Sequence, residues 1–249
     1  MNEKIIYAKY SNERAQEFSI CTQIIKKDGF HLVRKKMLSS EALNHIRKLQ
    51  KNETRINQQF KSTNILANKI ININKDSIDF EYIGSENLEI LINKNINIGK
   101  IENVFCIIDD FFYELEKSPQ NEFRKTKDFI TIFGDVDCNG KTMKFSNIDM
   151  SFQNIFKRNE AYIIVDYEWC FDFPIPVKFI EWRILHLLIT TTNMKLFAQN
   201  YNIFGRYGIN IDEQKKYSAM QNNFYLYVKK DFCPLRFFVK NKHPIDCLL

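Results

Sequence analysis

The sequence predicts an α+β protein in two lobes, a strand-rich N-terminal lobe over residues 1–84 and a helix-rich C-terminal lobe over residues 85–249. Three observations carry this. Two strand-like segments, 18–25 and 30–38, flank Lys26–Gly29, whose Asp28–Gly29 pair is a hairpin signal. Beyond residue 100, Ile101–Leu115 and Val177–Leu188 have the length and apolar content of buried helices. Gly84 stands where the first pattern gives way to the second.

The elements follow in order. Ser39 and Ser40 precede a helical pattern, with Ser40 the expected N-cap. Ala42, Ile46, Leu49 and Ile56 recur on one stripe of that helix, and Glu53 falls on the same stripe. A carboxylate there needs a partner. Ile65–Ile73 and Ser77–Ile83 read as strands, and Asn87–Ile92 as a short helix start. Glu116–Lys127 reads as a loop or a solvated helix end. In residues 145–166, a short loop leads to Ile155–Phe156, a polar turn follows, and the apolar strand Ala161–Val165 ends on Asp166. Pro174 and Pro176 then precede the helix that opens at Val177, and Asn222–Val228 reads as more helix.

Composition bounds the function classes. At 249 residues the chain is long enough for a proper apolar core. Its 45% hydrophobic and 27% charged residues are a globular balance, which argues against disorder. The net charge of +6 is spread among acidic residues without a long basic run, and no nucleic-acid-binding motif is legible, so no nucleic-acid partner is expected. The six cysteines form no C-x-x-C pair and the four histidines are scattered, which argues against zinc. The start, MNEKIIYAKY, has no apolar run of signal-peptide length, and no apolar stretch reaches the roughly 20 residues of a membrane span. The expectation is a soluble, reduced, cytoplasmic protein, with peripheral membrane contact left open.

The residues that point to chemistry are oxygen donors and one cation. Asp149 and Asn154 have the spacing D-x-x-x-x-N, and Asp166 lies twelve positions further on, at a strand exit. Asp and Asn oxygens suit magnesium. Phosphoryl transfer needs such ligands, a carboxylate at the acceptor hydroxyl and a cation on the phosphates. Strand alternation puts Val33 and Lys35 on one face and Arg34 and Lys36 on the other, which favours Lys35 over Lys36 as that cation. Glu53 is the expected partner of Lys35, with Glu41 in the first helical turn as the alternative.

This combination resembles the protein-kinase-like superfamily. Asn147–Ile148 before the Asp, and Asp166–Tyr167–Glu168 in place of Asp-Phe-Gly, look more like its small-molecule branch of aminoglycoside, choline and lipopolysaccharide kinases. The resemblance implies a two-lobed protein-kinase-like fold, ATP and magnesium as cofactors, Asp149 as the catalytic residue, and Asn154 and Asp166 as metal ligands. It further implies Lys35 on the phosphates, Glu53 beside it, and a hinge at Phe80–Gly84 whose Glu81 and Ile83 bind adenine through their backbone. Residues 166–176, with Arg183 beyond, are similar to kinase-like modules attached to bacterial polysaccharide glycosyltransferases and methyltransferases. Asp172 and Arg183 are expected as a polar pair bracing the loop, and Trp169 and Trp182 as core residues. One feature departs from the family. The segment Ser11–Arg14, where a nucleotide-covering loop should lie, has no glycine, so Ser11 or Arg14 would contact phosphate by side chain, or the site is degenerate. The reading is therefore a phosphotransferase acting on a hydroxyl of a small molecule or glycan in bacterial surface polysaccharide metabolism, with a catalytically inactive kinase-like binding or regulatory module as the alternative.

Overall fold

A computed structural model describes residues 3–11, 13–191 and 194–230. Strands β1 (Glu3–Tyr10), β2 (Ile20–Lys27) and β3 (Phe30–Met37) lead into helix α1 (Leu43–Gln59), and β4 (Ile65–Ala67), β5 (Ile70–Ile73) and β6 (Ser77–Glu81) follow. An antiparallel sheet runs in the order β1-β2-β3-β6-β5. The β2–β3 hairpin turns on Asp28 and Gly29 at φ 47° and 89°. Both central residues lie in the left-handed region, which matches the turn to the twist of the strands. Across β3 and β6, Arg34 lies opposite Asp79 and makes a two-pronged pair with it at 2.6 and 2.9 Å. That pair fixes which face Arg34 occupies, and Lys35 takes the other.

The apolar stripe of α1 is buried as expected at Ile46, Leu49 and Ile56. The helix start differs from expectation. Ser40–Ala42 forms a 3₁₀ turn and α1 begins at Leu43, while the Ser39 hydroxyl donates to the Gln16 carbonyl at 2.9 Å. The segment expected as one strand over 65–73 is two. Asn68 separates them: its N–H donates to Ile164 O at 2.8 Å and its side chain to Glu81 O at 2.9 Å. These bonds send β4 and β5 into different sheets.

The remainder is mostly helical. In chain order it comprises α2 (Leu88–Asn97), α3 (Ile101–Glu116), β7 (Gln120–Glu122), α4 (Lys127–Phe133), β8 (Lys141–Met143) and β9 (Ser146–Asn147). Then follow β10 (Ile155–Arg158), β11 (Ala161–Ile164), β12 (Cys170–Phe171), β13 (Ile175–Pro176), α5 (Val177–Thr191), α6 (Lys195–Tyr201), α7 (Ile203–Arg206) and α8 (Ile211–Lys229). The β10–β11 hairpin pairs with β4 in parallel. The charged stretch after α3 contains β7, which pairs with β8. Polar side chains cap the helices: Asn87 on α2, Thr126 on α4, and Asn210 with Glu213 as a capping box on α8. The α+β architecture, strands first and helices after, is the one expected.

Trp169 and Trp182 are buried, as expected. Cys21, Cys106, Cys138 and Cys170 are free thiols, while Cys233 and Cys247 lie outside the described residues. Among the described residues, no helix is long and apolar enough to cross a membrane. An aromatic hub holds the helical part together: Phe133, fully buried at the end of α4, packs on Phe129, Phe171, Phe179 and Phe224. Phe133→Ala is expected to cost about 3–5 kcal/mol of stability, read as a lowered midpoint in urea denaturation. A variant with an unchanged midpoint would show that α8 packs independently of this hub.

Candidate active site

The alternation of β3 carries Val33 and Lys35 into a cavity of about 270 Å³. Lys35 is only 3% exposed, and its Nζ lies 2.7 Å from Asp166 Oδ1 and 2.5 Å from Glu168 Oε1. Burial pulls the ammonium pKa down, but the charges of Asp166 and Glu168 outweigh it and hold the group above its ordinary value. Lys36 is exposed on the other face and pairs with Asp76 at 3.2 Å. The choice of Lys35 over Lys36 agrees with this geometry.

The expected partner of Lys35 does not. Glu53 turns away and accepts a hydrogen bond from Ile70 N at 3.0 Å, fastening α1 to the start of β5. The alternative, Glu41, is exposed. Successive helical residues are rotated by about 100°, and the buried face of α1 nearest Tyr167 and Glu168 carries His45 and Asn52. His45 Nε2 stands 3.4 Å from Glu168 Oε2, and Asn52 Nδ2 donates to Tyr167 O at 2.8 Å. Glu168 is thus the carboxylate that joins Asp166 on Lys35. It also receives Arg14 Nη1 at 2.6 Å. Burial pushes the Glu168 carboxyl up, yet Lys35 and Arg14 hold it well below the usual carboxylate range. The available signal for Glu168 was its setting: a lone carboxylate in the aromatic run Tyr167–Phe171 must find a cation if buried.

The loop before β10 is stapled by asparagines. Asn147 Nδ2 donates to Asp166 O at 3.0 Å, and Asn147 Oδ1 accepts from Asp149 N at 2.9 Å. Asn154 Nδ2 donates to Asp149 O at 3.0 Å, which leaves its Oδ1 without a hydrogen bond among the described residues. Asp166 spends Oδ1 on Lys35. Asn154 and Asp166 line the same cavity as Lys35. Two oxygen donors beside a cavity fit a hard divalent cation. Among the described residues, no group of three or more His, Cys, Asp and Glu side chains could hold a metal.

Asp149 lines an adjoining cavity of about 210 Å³ with Arg14, Trp169, Arg183 and Tyr225. Its carboxyl is pushed up to about 7 by burial and by the charge of Asp166, against the pull of Arg183, whose Nη2 lies 3.5 Å away. The expected Asp172–Arg183 pair is absent. Asp172 is exposed and pairs with Arg55, while Arg183 donates to Ile148 O at 2.8 Å and to Gln221 Oε1 at 2.6 Å. Arg183 therefore braces the Asp149 loop directly.

The hinge positions divide. The Glu81 N–H donates to Lys69 O at 3.0 Å and its carbonyl already accepts from Asn68. The backbone N–H and C=O of Ile83 make no hydrogen bond among the described residues, and Ile83 lines the cavity with Ile24, Val33, Phe80 and Phe156. Ser11 is spent on the neck of the β1–β2 loop, where its hydroxyl donates to Ile20 O and accepts from Ile20 N.

The order of the sheet, the lysine on its third strand and the loop–hairpin–Asp unit are arranged as the sequence resemblance to the kinase-like superfamily implied. No family model matches the chain, and no curated protein matches it. Among solved structures it is similar to a macrolide 2'-phosphotransferase type I, at 9% identity and TM-score 0.43, over 91% of this chain and 86% of that one. It is also similar to a macrolide 2'-phosphotransferase apoenzyme from Brachybacterium faecium, at 7% identity and TM-score 0.41, over 88% and 86%. The APH(2")-IIa complex with gentamicin matches at 9% identity and TM-score 0.33, over 89% and 94%. These likenesses are remote, and the residue roles proposed below rest on the geometry of this chain.

The raised Asp149 value has a consequence for stability. A carboxyl whose folded pKa exceeds its unfolded one stabilises the fold at low pH, and that contribution is lost as pH rises through about 7. Asp149→Asn removes the penalty of ionising there. The variant should melt at a higher temperature than the native chain at pH 8, with the difference shrinking towards pH 4. An equal difference at both pH values would contradict the elevated pKa.

Proposed function

We propose that this chain is an ATP- and magnesium-dependent phosphotransferase acting on a hydroxyl of a small molecule or glycan. The observation that carries the reading is a single cavity with two chemically different ends. One end has the apolar Ile24, Val33, Phe80 and Phe156 beside the open backbone of Ile83, which suits a purine base. The other has Lys35, Asp166 and Asn154, which suits phosphates. Residues 1–84 are the nucleotide-binding lobe in this reading, and residues 85–249 the catalytic and acceptor-binding lobe. A setting in bacterial surface polysaccharide metabolism follows from the sequence resemblance of residues 166–183.

Lys35 places a fixed positive charge on the phosphates, and its carboxylate partners keep it protonated. Asn154 and Asp166 are the candidate holders of magnesium, which supplies charge neutralisation on the phosphates when bound. Asp149 faces the adjoining cavity, where an acceptor hydroxyl would lie, and takes its proton. A carboxyl value near 7 suits that role, because a base is most effective when its pKa lies close to the working pH. Glu81 contributes to the hinge through its carbonyl alone, and Ile83 through both backbone groups. Glu53 supports nucleotide binding only through the placement of β5. The second reading, a kinase-like module without turnover, is favoured by the β1–β2 loop, whose Arg14 is engaged with Glu168 and which has no glycine.

Calorimetric titration of ATP with and without magnesium tests the assignment. Asp166→Asn is expected to weaken the magnesium-dependent part of binding. Asp149→Asn should retain binding and lower transfer by roughly 10²–10⁴-fold. A module without turnover would show only the first effect, and unchanged affinity in both variants with unchanged turnover would reject the site.

Glu53→Gln and Glu168→Gln separate the observed lysine network from the expected one. Glu168→Gln should weaken ATP binding by about tenfold or more, since one hydrogen bond between charged groups at Lys35 contributes about 1.5–3 kcal/mol. Glu53→Gln should change it by less than about threefold. The reverse ranking would place Glu53 in the nucleotide site after all.

A further inference from the structure

Arg14 enters the site from the loop between β1 and β2. The loop that carries it is fastened at other points. Ala15 N donates to Val228 O at 3.0 Å, Glu17 pairs with Lys230 at 2.6 Å, and Phe18 is buried against Trp169 and Tyr227. Arg14 leaves this anchored loop and reaches into the centre. Its guanidinium pairs with Glu168, and the charges of Asp149 and Asp166 act on it as well. It lines the cavity of Asp149, while the other oxygen of Glu168 holds the lysine of the neighbouring cavity. Arg14, Glu168 and Lys35 therefore form one chain of ion pairs that links the Asp149 cavity to the lysine cavity, the line along which a phosphoryl group would pass from donor to acceptor. Its side chain keeps 27% exposure, so part of the guanidinium can meet a second anion from solvent.

We propose that Arg14 is a catalytic residue of the phosphotransferase reading on which this inference rests: an arginine supplied in cis to the transferring phosphoryl group, held on Glu168 until the nucleotide arrives. In the step, the acceptor oxygen forms a bond to the terminal phosphorus and gives its proton to Asp149. The bond from that phosphorus to the bridging oxygen breaks, and its electron pair leaves with the nucleoside diphosphate. Negative charge on the three equatorial oxygens is greatest in between, and a planar guanidinium with several donors is suited to them. A loop without glycine brings its backbone N–H groups to phosphate less readily, and a long side chain can act from a distance instead.

The test needs no acceptor. ADP and magnesium are titrated into the native chain with and without aluminium fluoride, which with ADP mimics the phosphoryl group in transfer. The native chain should bind ADP at least about 10²-fold more tightly with fluoride, as expected for a transition-state mimic. Arg14→Ala should lose most of the fluoride enhancement, taken as the ratio of its own ADP affinities with and without fluoride. Guanidinium ion added to Arg14→Ala should restore part of it, an effect that a purely structural arginine would not give. Arg14→Lys, which keeps charge without the planar fork, should fall between, and melting curves verify that each variant is folded. Full enhancement in Arg14→Ala overturns the proposal, as does a native chain that binds ADP without enhancement, although nucleotide binding then stands. A native chain that binds no ADP removes the phosphotransferase reading, and this inference with it.

Discussion

A lysine ammonium buried to 3% exposure organises this molecule. Removing a charge from water costs several kcal/mol even after relaxation, so Lys35 can sit between sheet and helices only if anions surround it. Asp166 and Glu168 supply them at 2.7 and 2.5 Å. Two carboxylates on one ammonium leave an excess of negative charge, and Arg14 and His45 approach the second oxygen of Glu168. Asp149, next in line, is pushed up to about 7 by burial and by the charge of Asp166, against the pull of Arg183 at 3.5 Å. The same cluster that keeps the lysine charged therefore also raises a carboxyl beside it to where it exchanges a proton near neutrality.

Asparagine supplies the framework around that cluster. Asn52 ties α1 to Tyr167, Asn68 ties β4 to Glu81 and β11, and Asn147 ties the Asp149 loop to Asp166. Each is buried, and each satisfies backbone groups that irregular chain would otherwise leave unpaired. An uncharged amide suits this role because it offers both donor and acceptor without adding charge to a crowded electrostatic site. Tyr167 completes the tie by donating its hydroxyl to Asn68 O at 2.8 Å. The segment bearing Asp166 and Glu168 is thereby bound to helix, sheet and hinge at once.

The parts of this arrangement that were legible in the sequence are those written in periodicity. Alternation placed Lys35 and Val33 on one face of β3, helical spacing placed Ile46, Leu49 and Ile56 in the core, and the loop–hairpin–strand pattern placed Asp149, Asn154 and Asp166 in succession. Pairings between distant segments were not legible. Glu53 lies on the stripe of α1, but a stripe spans several residues, and its edge at Glu53 faces β5 rather than Lys35. Arg183 and Asp172 are close in sequence, yet the turn into β13 sends Asp172 to Arg55 on α1 and Arg183 to the Asp149 loop. Burial of Glu168 was the missing fact. Without it, a glutamate following Asp166 and Tyr167 looks like loop surface.

The β1–β2 loop is anchored at several points, which limits how the cleft beside it can open. A glycine-rich loop is mobile, and it closes on phosphate through backbone groups that any approach can bring near. Here Ser11 closes the neck of the loop on Ile20, Phe18 fills the core, and Ala15 hydrogen-bonds α8. Opening the cleft by moving this loop would expose Phe18 and break its contacts with Trp169 and Tyr227. Burying a phenylalanine side chain contributes roughly 1.5–3 kcal/mol, enough to keep the closed arrangement dominant. In the proposed phosphotransferase, access to the phosphate end would then depend on the exchange of side-chain partners at Glu168 rather than on the movement of backbone. In that proposed reading, charge placed by a long side chain on an anchored loop takes the place of backbone closure, which joins the absence of glycine to the buried carboxylate at Glu168.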